Sequence, residues 1–204
     1  MKRISDILLS FIGIIILFPV FVILFLSVFI GSGFPVFYLQ KRAGKKGKEF
    51  LLCKFRTMKI GSDKTGLLTT SEKNTCITTV GYFLRKYKLD ELPQLFNVFV
   101  GDMSLVGPRP EVIKYVKMYS EEQKNVLSVR PGITDYASIE YSNESEILSE
   151  SENPEQLYIS EIMPAKLKLN LRYIKEQSML TDLKIILKTF VKIFVARQTK
   201  TYRR

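Results

Sequence analysis

The 204-residue sequence contains no histidine, which removes the commonest general base, the commonest zinc ligand and every Ser-His or Cys-His arrangement for nucleophilic catalysis. Chemistry in this chain must use carboxylates, Lys, Tyr, Cys or a hard metal ion held through oxygen. Cysteine is scarce. Cys53 and Cys76 have neither metal-site spacing nor the density of a disulfide scaffold, so they read as reduced structural thiols in a cytosolic environment. No internal repeat is visible, and no A-x-A-like cleavage site follows the apolar N-terminus, which excludes a removable secretory signal. Acidic residues are few, 20 against 31 Lys and Arg, giving a formal charge of +11 and a pI near 9.6. That balance fits a polyanionic partner such as nucleic acid, anionic lipid or a phosphorylated ligand, and does not choose among them. The length allows one globular domain of about 150–170 residues plus an accessory segment.

The accessory segment is the run from Ile7 to Ile30, which holds no charged residue. As an unbroken helix it would be about 36 Å long, enough to cross a bilayer. Pro19 lies in its middle, where it removes a backbone donor and predicts a kink. Ile7 to Phe18 would then rise only about 18 Å, short of a hydrocarbon core of about 30 Å. Two readings stay open: a bent hairpin that enters and leaves on one face, and a proline-kinked spanning helix. Lys2 and Arg3 precede the run, and Lys41, Arg42, Lys45, Lys46 and Lys48 follow it, which favours both ends on the cytoplasmic side.

Beyond it, aromatic and β-branched residues around Gly44 and Gly47 predict two short strands joined by a basic hairpin. Lys54, Arg56 and Lys59 follow at close spacing, either as a charged strand edge or as a phosphate-facing set. Residues 61–79, rich in Gly, Ser, Thr and Lys, read as a mobile loop. Residues 79–110 then read as a helix, a break, a second short helix and a proline-stiffened loop, with Leu92, Leu95, Phe96 and Phe99 at helical spacing as a buried face. The segment from Glu140 to Glu161, with seven glutamates and no Lys or Arg, reads as a surface stretch, partly helical near Pro154 to Glu161. Near the C-terminus, Leu183, Ile186, Leu187, Phe190 and Phe194 form an apolar face beside a stripe of Lys184, Lys188 and Lys192. That pattern suits an interfacial helix on anionic lipid, or a core-docked helix with a solvated lysine stripe.

The adjacent carboxylates Asp90 and Glu91 open the second short helix, Asp90 in the place of an N-cap and Pro93 within the first turn. Taken alone they are an ordinary acidic helix start. Their neighbours give them a second reading. Arg85 lies five residues earlier, Arg109 sits in "GPRP" between two prolines that restrict its backbone, and Arg130 repeats the Arg-Pro pairing in "VRPG". Arginines on stiffened backbone, a carboxylate pair and an apolar run point to phosphoryl chemistry on a lipid.

With these motifs the chain resembles the bacterial sugar transferase family of monotopic phosphoglycosyl transferases. The residues that carry the likeness are "KLDELPQLFNVFVGDMSLVGPRP", "KFRTM" at 54–58, "VRPGIT" at 129–134 and "DLKIILKTF" at 182–190, so it covers nearly the whole chain. The resemblance implies a mainly helical α+β fold: an N-terminal re-entrant membrane helix over residues 1–36 broken at Pro19, a short β-hairpin, and a small catalytic domain over 37–204 with interfacial amphipathic helices on the cytoplasmic face of the bacterial inner membrane. It implies transfer of a sugar 1-phosphate from a UDP-sugar to polyprenyl (undecaprenyl) phosphate with release of UMP, an early membrane step of glycoconjugate synthesis. By the same resemblance Asp90 is the nucleophile and a ligand of Mg²⁺, and Glu91 its partner acid, which deprotonates or orients the lipid phosphate. Arg109 clamps phosphate, with Arg85 and Arg130, and then Lys54 and Arg56, as further phosphate or nucleotide contacts.

Two departures stand out. The family usually continues its "RPGIT" with a Gly-Trp-Ala-Gln-Val-Asn-like stretch, where this chain has Asp135, Tyr136, Ala137, Ser138, Ile139 and Glu140. Many members also place a small polar residue before the helix-breaking proline; here it is Phe18, which leaves Ser10 or Ser27 to satisfy the freed carbonyls. A reading from another class, a membrane-tethered protein that binds anionic lipid or nucleic acid without catalysis, predicts salt-dependent binding indifferent to Asp90 and Glu91. No motif that reads nucleic acid is recognisable, and neither the sugar nor the oligomeric state is legible.

Overall fold

The computed structural model describes residues 2–62 and 76–201, with side chains as far as residue 192. Most of the expected mobile loop lies outside these residues. Among these residues the chain is a mainly helical α+β protein with two small sheets, in keeping with the fold the resemblance implies. Helix α1 (Lys2–Ser32) is the longest element, and its 31 residues rise about 46 Å. It is the one described helix long and apolar enough to cross a membrane, with a mean hydropathy of 3.1 over its most apolar stretch. Helical backbone continues through Pro19. The proline still leaves the Ile15 carbonyl without its usual donor, and neither candidate serine supplies one. Ser10 Oγ donates to the Ile7 carbonyl at 3.1 Å and Ser27 Oγ to the Ile23 carbonyl at 2.8 Å.

Both ends of α1 are tied to the same body. At its start, the Lys2 amine donates to the Val106 carbonyl at 3.0 Å and the Tyr173 hydroxyl at 3.1 Å, and pairs with Asp182. Arg3 donates to the Val98 and Phe99 carbonyls at 2.6 and 2.9 Å. At its end, buried Arg56 donates to the carbonyls of Ser32 and Gly33, the latter at 2.7 Å. A guanidinium at the negative end of a long helix suits both its orphan carbonyls and its dipole. Between these ties Phe21, Leu24 and Val28 pack on Val36, Phe55 and Leu84. Most of its other large apolar side chains are bare: Leu8, Leu9, Ile12, Ile15, Ile16, Phe18, Ile23 and Ile30 are exposed.

The predicted hairpin is present: β1 (Phe37–Ala43) pairs antiparallel with β2 (Glu49–Phe55), Phe37 opposite Phe55 and Ala43 opposite Glu49. Helix α2 (Thr79–Lys86) starts at Thr78, whose side chain accepts from the Gly81 amide, and ends where Lys88 takes a left-handed conformation at φ +56°. A tight turn, Leu89–Glu91, then leads into α3 (Gln94–Val100).

The predicted face divides: Leu92 and Leu95 are partly buried against the core cluster of Phe21, Phe55 and Leu84, while its other half is not turned to the core. Gln94, Asn97 and Val98 are buried, whereas Phe96 and Phe99 are substantially exposed. Phe96 and Phe99 turn instead toward α1: Phe96 is tilted against Phe21 at 5.5 Å between ring centres, and Phe99 stacks on Phe11 at 5.8 Å. Inside, Asn97 accepts from the Cys53 amide at 3.0 Å and donates to the Leu51 carbonyl at 2.8 Å, using polar bonds to join α3 to β2.

Beyond α3, two strands that the sequence pattern did not reveal pair in parallel: β3 (Ser104–Val106) and β4 (Gly132–Thr134). Short helices α4 (Ile113–Val116), α5 (Tyr136–Glu140), α6 (Glu144–Ser149) and α7 (Pro154–Leu157) and a π-helical turn, Tyr158–Ile162, precede α8 (Met163–Glu176). The acidic stretch is therefore more helical than composition implied. Tyr115, Tyr119, Val126, Leu148, Tyr158 and Leu167 form the core of this half.

The last helix, α9 (Met179–Thr201), has three sides among its described side chains. Ile185 is fully buried against Val106 and Tyr173, with Asp182 and Thr189 beside it. Leu183, Leu187, Phe190 and Val191 form an exposed apolar side, and Lys184, Lys188 and Lys192 a third, also exposed. The helix thus docks through one side while keeping an apolar and basic surface free. Ile186 of the predicted apolar face is partly buried, and the Phe194 side chain lies outside the described residues.

At the crossing of β3 and β4, a Cβ on Gly132 would stand 2.1 Å from the Gly107 nitrogen and 2.5 Å from its carbonyl oxygen, both rigid backbone atoms. Gly132→Ala is expected to destabilise the protein by about 2–3 kcal/mol. In detergent, thermal denaturation should show the midpoint fall by about 5–10 °C.

Candidate active site

The carboxylate pair sits on the turn between α2 and α3. Lys88 precedes it in the left-handed region, which costs an ordinary residue roughly 1–2 kcal/mol and is worth a functional question. Its effect is to reverse the chain so that Leu89–Glu91 leaves α2 and enters α3 with both carboxylates facing the body. Asp90 is 8% exposed, and it is not an N-cap. The turn's N-cap is Lys88, that of α3 is Pro93, and neither makes a side-chain cap bond. Instead, Asp90 Oδ1 is buried with no hydrogen-bond partner among the described residues. Burial first, then Glu91, pushes the Asp90 carboxyl above the ordinary aspartate range, against the pull of Lys54, Lys88 and Arg85.

Glu91 is the opposite case. Lys54, from β2, donates to its Oε1 at 3.0 Å, and Arg109 grips both oxygens, with Nη1 on Oε2 at 3.2 Å. Burial alone would raise this carboxyl, yet Arg109, then Lys54 and Lys88, hold it well below the usual glutamate range. Glu91 in turn raises Arg109 further, while burial lowers Lys54 despite its partner. Two adjacent acids are thus driven in opposite directions by their surroundings, an arrangement that separates a reactive carboxylate from a fixed one.

Arg109 is delivered by a braced loop. Pro108 and Pro110 limit its backbone, the Pro108 carbonyl accepts from Gly132 at 2.9 Å, and Arg42 donates to the Pro110 carbonyl at 3.2 Å. Arg85 donates to Thr57 Oγ1 at 2.9 Å and feels both Asp90 and Glu91, although burial keeps its basicity below the usual value.

Two predicted contacts lie elsewhere. Arg130 donates to the Gly101 carbonyl at 2.9 Å, after the end of α3, and lines a cavity of about 130 Å³ with Lys2, Arg3 and Asp6. Arg56 caps α1. Neither is among the leading charges acting on Asp90 or Glu91. An Arg-Pro dipeptide shows a stiff arginine without showing where it points, and helix C-termini use the same charge that phosphates do.

Sequence reasoning also missed groups. Thr57 orients Arg85, and Gln94 is 1% exposed with its Nε2 lacking a partner among the described residues. Gln94 lies four residues after Asp90 along helical backbone, hence on the same face. The spacing alone marks it, once Asp90 is singled out. The Cys53 thiol is pushed up by burial, in keeping with a structural role.

Among the described residues no group of three or more side chains is placed to cage a metal. The unpartnered Asp90 oxygen does fit an ion such as Mg²⁺, which takes one or two carboxylates and fills its remaining positions with water and substrate phosphate.

A buried carboxylate pair among fixed cations, on a body that carries a long, largely bare apolar helix, fits a membrane-associated protein that handles anionic groups. The chain belongs to the bacterial sugar transferase family, whose model matches residues 1–196. It is 39% identical over 201 residues to an uncharacterized sugar transferase, EpsL, of Bacillus subtilis (strain 168), covering 96% of this chain and 88% of that one. Over 199 residues it is 34% identical to the UDP-glucose:undecaprenyl-phosphate glucose-1-phosphate transferase of Escherichia coli (strain K12), covering 96% of this chain and 40% of that one. Over 193 residues it is 33% identical to the UDP-N-acetylgalactosamine-undecaprenyl-phosphate N-acetylgalactosaminephosphotransferase of Aeromonas hydrophila, covering 92% and 42%. The chain therefore spans about two fifths of the length of the latter two.

A raised carboxyl carries a stability cost. Between the unfolded and folded pKa of Asp90 the native state binds the extra proton, so its stability falls as pH rises through that window. Asp90→Asn is expected to melt above the unaltered protein near neutral pH. The gap should close on acidification toward the ordinary carboxylate range; a variant that melts lower at neutral pH would contradict this electrostatic reading.

Proposed function

We propose that the chain transfers a sugar 1-phosphate from a UDP-sugar to polyprenyl (undecaprenyl) phosphate, with release of UMP. The observation that carries this reading is the buried Asp90 oxygen without a partner, one residue from a glutamate wholly committed to Lys54 and Arg109. The names of the E. coli and Aeromonas relatives supply the substrate classes.

In the first step an Asp90 oxygen attacks the phosphorus that bears the sugar. The bond from that phosphorus to the bridging oxygen breaks, and UMP departs with the bridging oxygen and its electron pair, leaving a sugar-phosphoryl aspartate. In the second step a phosphate oxygen of the polyprenyl phosphate attacks the same phosphorus, and Asp90 leaves as carboxylate. Mg²⁺ bound at Asp90 and the diphosphate would neutralise charge that otherwise repels the nucleophile. Of the two roles open to Glu91, orientation is favoured: a carboxyl held this low is a weak base, and it fixes the Lys54 and Arg109 head groups beside the reacting phosphate. Arg109, with Arg85 behind it, stabilises the diphosphate oxygens.

The membrane arrangement follows from α1. A helix that crosses a bilayer delivers its ends to opposite faces, whereas both ends of α1 are bonded to one body. We therefore assign residues 1–36 to a re-entrant anchor that bends at Pro19, and 37–204 to a domain on the cytoplasmic face. The exposed apolar side of α9 and its lysines suit the same lipid surface.

Two measurements test this. Without lipid acceptor, labelled UMP should exchange into the UDP-sugar, and Asp90→Asn should abolish the exchange; exchange that survives overturns the nucleophile assignment. A panel of UDP-hexoses and UDP-N-acetylamino sugars identifies the donor. For topology, a cysteine at exposed Ile4, in a chain whose own cysteines are replaced by alanine, should resist an impermeant thiol reagent in intact cells and react in inverted vesicles. Labelling in intact cells would rule out the re-entrant anchor.

A further inference from the structure

We infer that Asp135 is a positioning residue for Arg109, a role that the glycine usual at this point of the family pattern has no side chain to perform. The inference rests on the proposed function. Asp135 is 0% exposed, and its carboxylate joins two segments. Oδ2 accepts the backbone N–H of Arg109 at 3.1 Å, and Oδ1 accepts the Ser138 amide at 2.6 Å, which caps α5. Pro108 and Pro110 have no N–H, so within 108–110 the Arg109 amide is the sole backbone donor, and Asp135 holds it. The guanidinium of the same residue is held by Glu91. Arg109 is therefore fixed at both ends: its head by the acid next to the nucleophile, its backbone by an acid from the segment after β4.

The Asp135 charge also faces the Arg109 guanidinium, a smaller influence than Glu91 in the same direction. That matters when a diphosphate arrives and competes with Glu91 for the guanidinium. The backbone tie does not depend on Glu91, so it keeps Arg109 in place while its head exchanges partners. Losing it leaves the loop braced by Arg42 and Gly132 but frees the peptide that aims the side chain.

Capping α5 and positioning Arg109 are separable by substitution. Asp135→Ser retains a good N-cap for the Ser138 amide and lacks the second oxygen that reaches Arg109, whereas Asp135→Ala loses both. In the full chain, in detergent with undecaprenyl phosphate and the donor identified by the panel, Asp135→Ser should melt above Asp135→Ala but a few degrees below the unaltered protein, since the Arg109 amide loses its acceptor. Its kcat/KM for the UDP-sugar should nevertheless fall by about tenfold or more, and hydrogen exchange at the Arg109 amide should accelerate. Combined with Arg109→Lys, it should cost little beyond Arg109→Lys alone, because both changes disable one device. Asp135→Ala should show the same kinetic loss with a lower melting temperature. Unchanged kcat/KM and a still-protected Arg109 amide in Asp135→Ser would overturn the inference, as would losses that multiply with those of Arg109→Lys. If the unaltered chain transfers no sugar phosphate from any donor, the proposed function fails instead, and the amide exchange still reports whether Asp135 holds Arg109.

Discussion

Glu91 is the knot of this molecule. Its carboxylate is held by Lys54 from the strand β2 and by Arg109 from the proline-bounded loop after β3, while its own backbone belongs to the turn that joins α2 to α3. Three segments far apart in sequence therefore meet at one buried charge. Such a pair is costly to break from one side, since removing a partner leaves a largely desolvated charge uncompensated; with the Arg109 side chain 31% exposed, the cost stays below that of a fully buried pair. The same knot sets the electrostatics of the site. By absorbing both cations, Glu91 leaves the adjacent Asp90 to meet burial and a neighbouring negative charge with little direct compensation. A carboxylate oxygen without a partner among the described residues results from what its neighbour has already taken.

The second organising constraint is where apolar surface can go. Helix α1 is too apolar to be covered by this body, which buries Phe21, Leu24 and Val28 and leaves most other large side chains bare. Phe96, Phe99 and Val100 of α3 and Leu183, Leu187 and Phe190 of α9 are exposed as well. On a monomer in water so much bare apolar surface would be a liability, and against lipid it is a seat. The polar ties at both ends of α1, made by Lys2, Arg3 and Arg56, keep this surface attached to the site rather than loose at the end of a tether.

Much of this was legible in the sequence, and the failures share a cause. The apolar run, the basic hairpin, the broken helix around Asp90 and the proline-stiffened Arg109 follow from local rules: length, alternation, breaker residues. Of the predicted buried face, Leu92 and Leu95 do pack on the core, whereas Phe96 and Phe99 do not, because periodicity locates an apolar face without saying how much of it the protein core covers. Asp90 looked like a cap because aspartate before a helix usually is one, and the left-handed Lys88 turned the carboxylate inward instead. Arg56 and Arg130 look in sequence like phosphate ligands, and in the fold they bond backbone carbonyls, with Arg56 Nε and Nη1 left without a partner among the described residues.

The sequence by itself determined most of the elements, that one segment is apolar enough to seek lipid, and that chemistry must do without histidine, because composition and short-range spacing fix those matters. Tertiary structure alone decided which carboxylate is free and which is fixed. That depends on Lys54 and Arg109 converging on Glu91 from distant segments, and on Asp135 reaching the Arg109 amide from a segment 26 residues away. Coulombic and hydrogen-bond energies depend on distance in space, which the order of residues along the chain does not specify.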